Sequence, residues 1–342
     1  MTPTWDRTRF HLPFVLSLLL LLVACAPGAG ESADASEPSE PPASTSASPS
    51  DGPSVAPSEA AFPVELTDDA GRTVLLDAPA QRIVSLAPSN TEIVCALDAC
   101  DRLVGVTDFD DYPPEVADVT DVVVQTQVDV ELVVDAEPDL VLAAGNELTP
   151  TTTIEQLEDL GLTVLVVYPE TLEGVYANIA LIGAALDAPD EADALVASME
   201  ERVDAVAAAV EGAETPRTLY EVFYSEGTTY VAGEGSFLAS LIEIAGGDPV
   251  VGDPQGAIDA ESLVAADPEL ILLGGASYDP TLADPEAALA AVAARPGWGE
   301  LTAVVEGAVV PYLDDIVTTR PGPRVVDGLE ALARAIHPDR FD

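Results

Sequence analysis

The sequence predicts an α/β protein whose two lobes are joined by one long helix, and three observations support this. Short apolar segments, typical of buried strands, alternate with amphipathic helical segments along most of the chain. One pattern of strand and helix occurs twice, once in each half of the sequence. The longest helical pattern lies between the two copies, and we therefore expect it to connect them.

The repeat is the clearest internal signal. It reads VDVELVVDAEPDLVLAAG at residues 128–145 and IDAESLVAADPELILLGG at residues 258–275, without a gap. Each copy predicts a capping aspartate, a short helix, a proline and a buried strand. This agreement, which includes the proline, favours two related lobes. Identical pairs include Asp129/Asp259, Glu131/Glu261, Ala136/Ala266, Pro138/Pro268, Leu140/Leu270, Leu142/Leu272 and Gly145/Gly275.

The connecting helix is predicted from Pro189 to about Glu211. Pro189 suits a first helical position, and Gly212 is a plausible C-terminal stop. Steps of three and four residues place one apolar stripe on one face. The stripe consists of Ala192, Leu195, Val196, Met199, Val203, Val206 and Val210.

The N-terminal residues 1–24 predict a secretory leader. Two arginines, Arg7 and Arg9, precede an apolar run from about Leu12 to Val23, which is short for a membrane span. The run ends at Ala24-Cys25 and resembles the bacterial lipoprotein signal, in which cleavage precedes the cysteine and lipid is attached to its sulfur. We expect lipidation of Cys25; the alternative is cleavage at a small-residue site with Cys25 incidental.

A tether follows the leader. Residues 25–61 are rich in Ser, Pro, Ala, Glu and Asp and almost lack large apolar side chains, so they predict a flexible spacer. The folded part is divided into an N-terminal α/β lobe at 62–188, the connecting helix at 189–212 and a C-terminal α/β lobe at 213–342. Predicted strands are 64–66, 73–76, 82–86, 104–106, 140–142, 164–167, 218–224, 229–231, 270–273 and 309–310. Predicted helices besides the connecting one are 91–97, 153–160, 237–244, 261–265, 285–293 and 323–335.

The composition excludes several classes of function. The formal net charge is −49 and every basic residue except the two histidines is arginine, so nucleic-acid binding is not expected. A P-loop requires lysine, and the catalytic motifs G-x-S-x-G and H-E-x-x-H do not occur. With two histidines in all, His11 and His337, the chain predicts no metal site and no catalytic residues. In an exported protein Cys95 and Cys100 either form a disulfide, which we expect, or remain free thiols.

Several segments resemble the substrate-binding proteins of the iron-siderophore/cobalamin class of ABC importers. The resemblance covers roughly residues 64–338, in order. The segments that carry it are Arg82–Glu92 (RIVSLAPSNTE), Leu103–Thr107 (LVGVT) with Asp111–Pro114 (DYPP), Glu137–Val141, Ala232–Gly247 and Arg320–Arg324 (RPGPR).

This resemblance implies two Rossmann-like lobes, one rigid linking helix and a ligand cleft between the lobes. It implies a monomeric binding protein rather than an enzyme, without a cofactor, at the extracytoplasmic face of the membrane or in the periplasm. Its partners are an ABC permease with its ATPase and a small metal-chelate ligand, and its own lipid anchor holds it to the membrane. By matching motif, Glu131 and Glu261 are the acids that dock on permease arginines; the alternative is that each only favours its helix N-terminus.

Cobalamin is the first expectation for the ligand, because Tyr112 in the DYPP segment matches a position that stacks on the corrin. Ferric siderophore or haem is the alternative, since Gln125 and Ala144 stand where cobalamin-binding members carry tryptophan. A sensor lipoprotein of the same fold and a secreted hydrolase are alternatives from other classes. Candidate ligand contacts are Pro88, Ser89, Asn90, Tyr112, Asn146, Phe223, Tyr224, Tyr230 and Arg320.

Overall fold

The computed structural model describes residues 62–146 and 149–341, and it confirms the predicted fold class. The leader, the lipidation site Cys25 and the tether lie outside the described residues. Within those ranges, no helix is both long and apolar enough to cross a membrane.

The N-terminal lobe contains a hairpin and a six-stranded sheet. The hairpin is formed by β1 (Val64–Thr67) and β2 (Thr73–Leu76), which pair antiparallel around a turn as the sequence predicts. The sheet has the order β6-β5-β4-β3-β7-β8, with β6 alone antiparallel to its neighbour. Its strands are β3 (Ile83–Ser85), β4 (Leu103–Thr107), β5 (Asp121–Val124), β6 (Gln127–Val128), β7 (Leu140–Ala143) and β8 (Val164–Val166).

Five helices surround this sheet or follow it: α1 (Pro88–Ala96), α2 (Val130–Asp135), α3 (Thr151–Asp159), α4 (Leu172–Leu186) and α5 (Pro189–Val210). Helix α1 begins three residues before the expected Thr91, because Pro88 occupies its first turn. Helix α4 is not among the predicted helices, because it is apolar over most of its circumference and shows no polar face.

The C-terminal lobe has a second mixed sheet, of order β12-β10-β9-β13-β14, with β11 paired to the start of β9. Its strands are β9 (Arg217–Ser225), β10 (Thr228–Val231), β11 (Asp248–Pro249), β12 (Ala257–Ile258), β13 (Leu270–Leu273) and β14 (Val309–Pro311). Its helices are α6 (Phe237–Ile244), α7 (Ala260–Ala266), α8 (Pro285–Ala293), α9 (Thr302–Glu306), α10 (Asp315–Thr319) and α11 (Val325–Ile336).

The sequence repeat has the same structure in both lobes. Asp129 accepts hydrogen bonds from the first turn of α2 at 3.1 Å, and Asp259 does the same for α7 at 2.9 Å. Each aspartate thereby satisfies N–H groups that have no partner within the helix. The strand that follows each helix, β7 or β13, is buried along its whole length within its sheet.

Helix α5 connects the lobes, as the sequence predicts. It packs on α4 of the N-terminal lobe and on α6 and α11 of the C-terminal lobe. Ala192, Met199 and Val206, spaced seven residues apart, form its fully buried stripe. These side chains belong to one apolar cluster that continues from the N-terminal sheet into the C-terminal helices. Gly212, just beyond the helix, has a positive φ of 70°, which glycine adopts without steric cost.

Candidate ligand-binding site

The cleft between the lobes contains a cavity of about 320 Å³. Its wall on the N-terminal side comes from segments that follow strands β3, β4, β5, β7 and β8, at the carboxyl edge of the parallel sheet. Ligands of open α/β sheets bind at this edge, because loops from neighbouring strands converge there. The lining residues are Ala87, Pro88, Ser89, Phe109, Thr126, Ala144, Asn146 and Tyr168 from this lobe, and Thr319, Arg320 and Pro321 from the other.

A second cavity, of about 460 Å³, shares Tyr168 and Thr319 with the first. It lies against the start of helix α6 in the C-terminal lobe, where residues 234–238 and Pro254 form its wall. The two cavities therefore form one elongated depression across the lobe boundary. Their sizes fall within the range of roughly 300–1,000 Å³ that small-molecule sites occupy.

Four of the nine candidate ligand contacts line the first cavity: Pro88, Ser89, Asn146 and Arg320. Asn90 lies behind this wall, since its side chain is buried and its amide donates a hydrogen bond of 3.4 Å to the carbonyl of Val167. Tyr112 lies beside the cleft with 44% of its surface exposed. The guanidinium of Arg324 stacks on the Tyr112 ring at 4.1 Å from its centroid.

The other three candidates lie on the β9–β10 hairpin and line neither cavity. Phe223 stacks on Tyr230 with 4.2 Å between the ring centroids, and almost half of Phe223 is exposed. Tyr224 lies under the guanidinium of Arg295, which also forms a buried ion pair with Glu221. These contacts account for the positions of the three rings within the C-terminal lobe itself.

Two aromatic residues that are not among the nine candidates lie in the cleft. Phe109 and Tyr168 are each exposed by more than 40%, and each stands two residues after a buried strand of the N-terminal sheet. Tyr168 and Ala144 also border a third cavity, of about 490 Å³, which extends to the β1–β2 turn at Asp69. The sequence feature that could mark them as ligand contacts is a lone aromatic residue shortly after an apolar strand. An exposed ring at such a position suits a flat apolar ligand.

A group of ion pairs crosses the lobe boundary beside the cavity. Glu92 of α1 accepts hydrogen bonds from Nε and Nη2 of Arg324, at 3.0 and 2.6 Å. Nη1 of Arg320 lies 2.6 Å from Oδ1 of Asp111 and 3.5 Å from Oε1 of Glu92. Hydrogen bonding to Glu92 raises the pKa of the Arg324 guanidinium, so this cation stays charged at all accessible pH values.

The Arg320 segment is itself supported by a buried carboxylate. Asp315, at the start of α10, accepts hydrogen bonds from the hydroxyls of Tyr220 at 2.6 Å and Tyr278 at 2.9 Å. Burial raises the pKa of the Asp315 carboxyl, and the two tyrosine hydroxyls oppose this. The contacts fix α10 against the C-terminal sheet, and Thr319 and Arg320 at its end face the cleft.

Glu131 and Glu261, the candidate docking acids, occupy equivalent positions in the first turns of α2 and α7, and both are exposed. Within residues 62–146 and 149–341, neither carboxylate forms an ion pair. A disulfide joins Cys95 and Cys100 at the end of α1. No group of three or more His, Cys, Asp or Glu side chains in the described part of the chain is placed to hold a metal ion.

Comparisons with known proteins agree with this architecture. A family model described as "Periplasmic binding protein" matches residues 83–315. The chain is 35% identical over 287 residues to YvrC of Bacillus subtilis, an uncharacterized ABC transporter substrate-binding lipoprotein, and the match covers 82% of this chain and 87% of that protein. It is 32% identical over 289 residues to a cobalamin-binding protein of Halobacterium salinarum, which covers 81% of this chain and 75% of that protein.

Among solved structures, the periplasmic haem-binding protein BhuT in complex with two haems superposes with a TM-score of 0.65. The two sequences are 27% identical, and the superposition covers 76% of this chain and all of that one. The resemblances in sequence and in structure thus include proteins that bind different macrocycles.

Proposed function

The chain belongs to the periplasmic binding protein family and is a substrate-binding protein of the ABC-importer type, and on this premise we propose that it captures a corrinoid of the cobalamin type. The observation that carries the proposal is the 32% identity to a cobalamin-binding protein across 81% of the chain. The cleft is consistent with such a ligand, because exposed rings and a few polar groups converge on an elongated depression.

Phe109 and Tyr168 would contact the face of the macrocycle from the N-terminal lobe, and Arg320 would contact a polar substituent from the C-terminal lobe. Pro88, Ser89 and Asn146 complete the proposed contacts in the first cavity. Tyr112 would close the rim of the cleft beside them. The mechanism is binding followed by a small movement of the lobes, because a helix rather than a flexible hinge connects them.

Haem is the second candidate. The superposition with a haem-binding protein supports it, and so does Arg320, which could pair with a propionate. A ferric siderophore belongs to the same alternative, because many such ligands carry negative charge.

We further propose that Glu131 and Glu261 dock the receptor on its permease. Two acids at equivalent positions of related lobes suit a partner with two-fold symmetry, which presents the same basic site twice. Lipid at Cys25 and the tether of residues 26–61 would hold a monomeric receptor at the extracytoplasmic face of the membrane, within reach of that partner.

Isothermal titration of the full chain, purified in mild detergent, tests the ligand assignment. We expect a one-to-one isotherm with cyanocobalamin at micromolar affinity or better. If haemin or a ferric siderophore binds and cyanocobalamin gives no heat, the corrinoid proposal is wrong and the second candidate takes its place. Tyr168→Ala serves as the companion variant, since loss of binding in that variant places the ligand in the cleft.

A further inference from the structure

Arg320 stands out among the cations of the protein because it lines the ligand cavity. Ten arginines lie within the described residues, and Arg320 is the one among them that borders either cleft cavity. Its Nη1 is 2.6 Å from Oδ1 of Asp111, and its Nη2 donates a hydrogen bond of 3.0 Å to the carbonyl of Phe109. Both partners belong to the opposite lobe.

The nearer of the two carboxylates beside Arg320 is the exposed one, Asp111 at 2.6 Å, and the buried Glu92 lies 3.5 Å away. The Asp111 side chain is 57% exposed, whereas that of Glu92, which Arg324 binds through two nitrogens, is 2% exposed. Separating the Asp111–Arg320 pair costs little, because the exposed Asp111 carboxylate regains water while Arg320, which is 20% exposed, keeps the Phe109 carbonyl and Glu92 as neighbours. A buried carboxylate held at two points does not separate without a large desolvation cost. Of these two pairs, a ligand can therefore displace only Asp111–Arg320.

The backbone around Asp111 is fixed although its carboxylate is exposed. The neighbouring Asp110 accepts hydrogen bonds from the backbone N–H and the hydroxyl of Thr107, at 2.8 and 2.7 Å. Asp111 can consequently turn its side chain into solvent without a rearrangement of the segment. Arg320 would keep its hydrogen bond to Phe109 and its proximity to Glu92 while it exchanges one carboxylate for another anion.

We propose that Asp111 is a charge-selectivity residue, which occupies Arg320 in the free receptor and is displaced by an anionic group of the ligand. The group is a phosphodiester or a carboxylate, the anions whose geometry matches a guanidinium. This inference rests on the proposed function for the site, but not on which macrocycle is the ligand. Displacing Asp111 from Arg320 costs binding free energy, and only a ligand with such an anion recovers it. A neutral ligand gains no binding energy from Arg320.

The test compares two corrinoids that differ in the anion. Cyanocobalamin carries the phosphodiester of its nucleotide loop, and dicyanocobinamide lacks it. In Asp111→Asn we expect cyanocobalamin to bind roughly two- to fivefold more tightly, because its competitor is gone, while dicyanocobinamide is unchanged. The control Glu115→Gln removes an equal charge from the same exposed segment without a contact to Arg320. At about 0.15 M salt it should leave both affinities unchanged, since charges not in contact are screened.

A second measurement does not depend on the identity of the ligand. The Nε–Hε resonance of Arg320, assigned with Arg320→Lys, is followed while citrate is added as a simple carboxylate anion. We expect this resonance to shift at lower citrate concentrations in Asp111→Asn than in the unaltered chain. The Arg324 resonance should shift less, because Arg324 stays bound to Glu92 and its Nη2 lies 4.0 Å from Asp111. If haemin binds instead of cyanocobalamin, the corrinoid assignment is wrong, but the same gain in affinity is expected for haemin.

The proposal is overturned if Asp111→Asn leaves the citrate response of Arg320 unchanged, or if the citrate acts equally on Arg324. It is also overturned if the variant binds its anionic ligand less tightly than the unaltered chain does. Failure of every macrocycle to bind would remove the proposed ligand class, and the citrate titration would still decide the role of Asp111.

Discussion

Glu92 and Arg324, which belong to different lobes, form a two-point ion pair with nitrogen–oxygen distances of 3.0 and 2.6 Å. The Glu92 carboxylate has almost no contact with solvent. The pair therefore joins the lobes at a fixed point next to the cleft. At the neighbouring Arg320, by contrast, a ligand anion can take the place of Asp111.

Arg324→Leu is expected to lower the free energy of unfolding by about 1.5–3 kcal/mol, because the buried Glu92 loses both hydrogen bonds and keeps only the more distant Arg320, at 3.5 Å. Chemical denaturation measures this loss. The control Arg334→Leu removes an arginine that is 55% exposed, and its ion pair with Glu330 should contribute less than about 1 kcal/mol. Adding Glu92→Leu to Arg324→Leu should restore part of the stability; no recovery would contradict the desolvation argument.

Tyr168→Ala is expected to weaken ligand binding by roughly tenfold or more, since an aromatic contact on a flat ligand is worth about 1 kcal/mol beyond its buried area. Titration calorimetry gives the ratio of affinities. The control Leu160→Ala removes a side chain of the same lobe that is 55% exposed and borders none of the three cavities. This control variant should bind the ligand with unchanged affinity. Equal affinities for the two variants would exclude Tyr168 from the site.

Asp68 in the β1–β2 turn should make the stability of the protein depend on pH at the acid side. Burial raises its pKa, but hydrogen bonds from Arg72 and from the backbone N–H of Val166 outweigh burial, and the pKa lies below its usual value. The stabilisation is therefore present above the unfolded-state pKa of about 3.9 and is lost as the pH falls through the folded-state value.

Asp68→Asn should accordingly cost about 1–3 kcal/mol near neutral pH and progressively less in acid, as followed by urea unfolding at several pH values. Asp77→Asn replaces an exposed acid directly after the hairpin and provides the matched control. A difference between Asp68→Asn and the unaltered chain that does not shrink in acid would refute the assignment.

The double variant Glu131→Ala/Glu261→Ala should keep its ligand affinity and lose uptake, because both side chains lie on the surface, away from the cleft cavities. Uptake of labelled ligand by cells that carry the cognate permease measures the effect. Glu155→Ala/Glu286→Ala removes one exposed acid from another helix of each lobe and should transport normally. Uptake by the first variant at the level of the second would disprove docking through these acids.

The architecture was predictable because its signals are local. The capping aspartates and the stripe on α5 depend on spacings within one element, and the repeat depends on two short segments that align without a gap. The structure has all three. Helix α4 was not predicted, because a helix that is buried on most sides lacks the polar face that defines a period.

The site was less predictable than the fold. Pro88, Ser89, Asn146 and Arg320 do line the cavity, but Phe109 and Tyr168 become candidates only when the strand order brings their loops together. The Asp111–Arg320 contact joins residues 209 positions apart, and no local pattern encodes it. Contacts of this kind follow from the relative placement of the lobes, which sequence periodicity does not specify.

The apolar cluster that runs through α5 couples the stability of the two lobes. A receptor whose lobes had separate cores could lose one half and keep the other, and such a remnant could still occupy a permease without delivering anything. Here each lobe has a cluster of its own as well as the shared one, and a lesion in the shared cluster should destabilise both lobes together. Such a lesion would then leave few half-folded receptors that occupy a permease without delivering ligand.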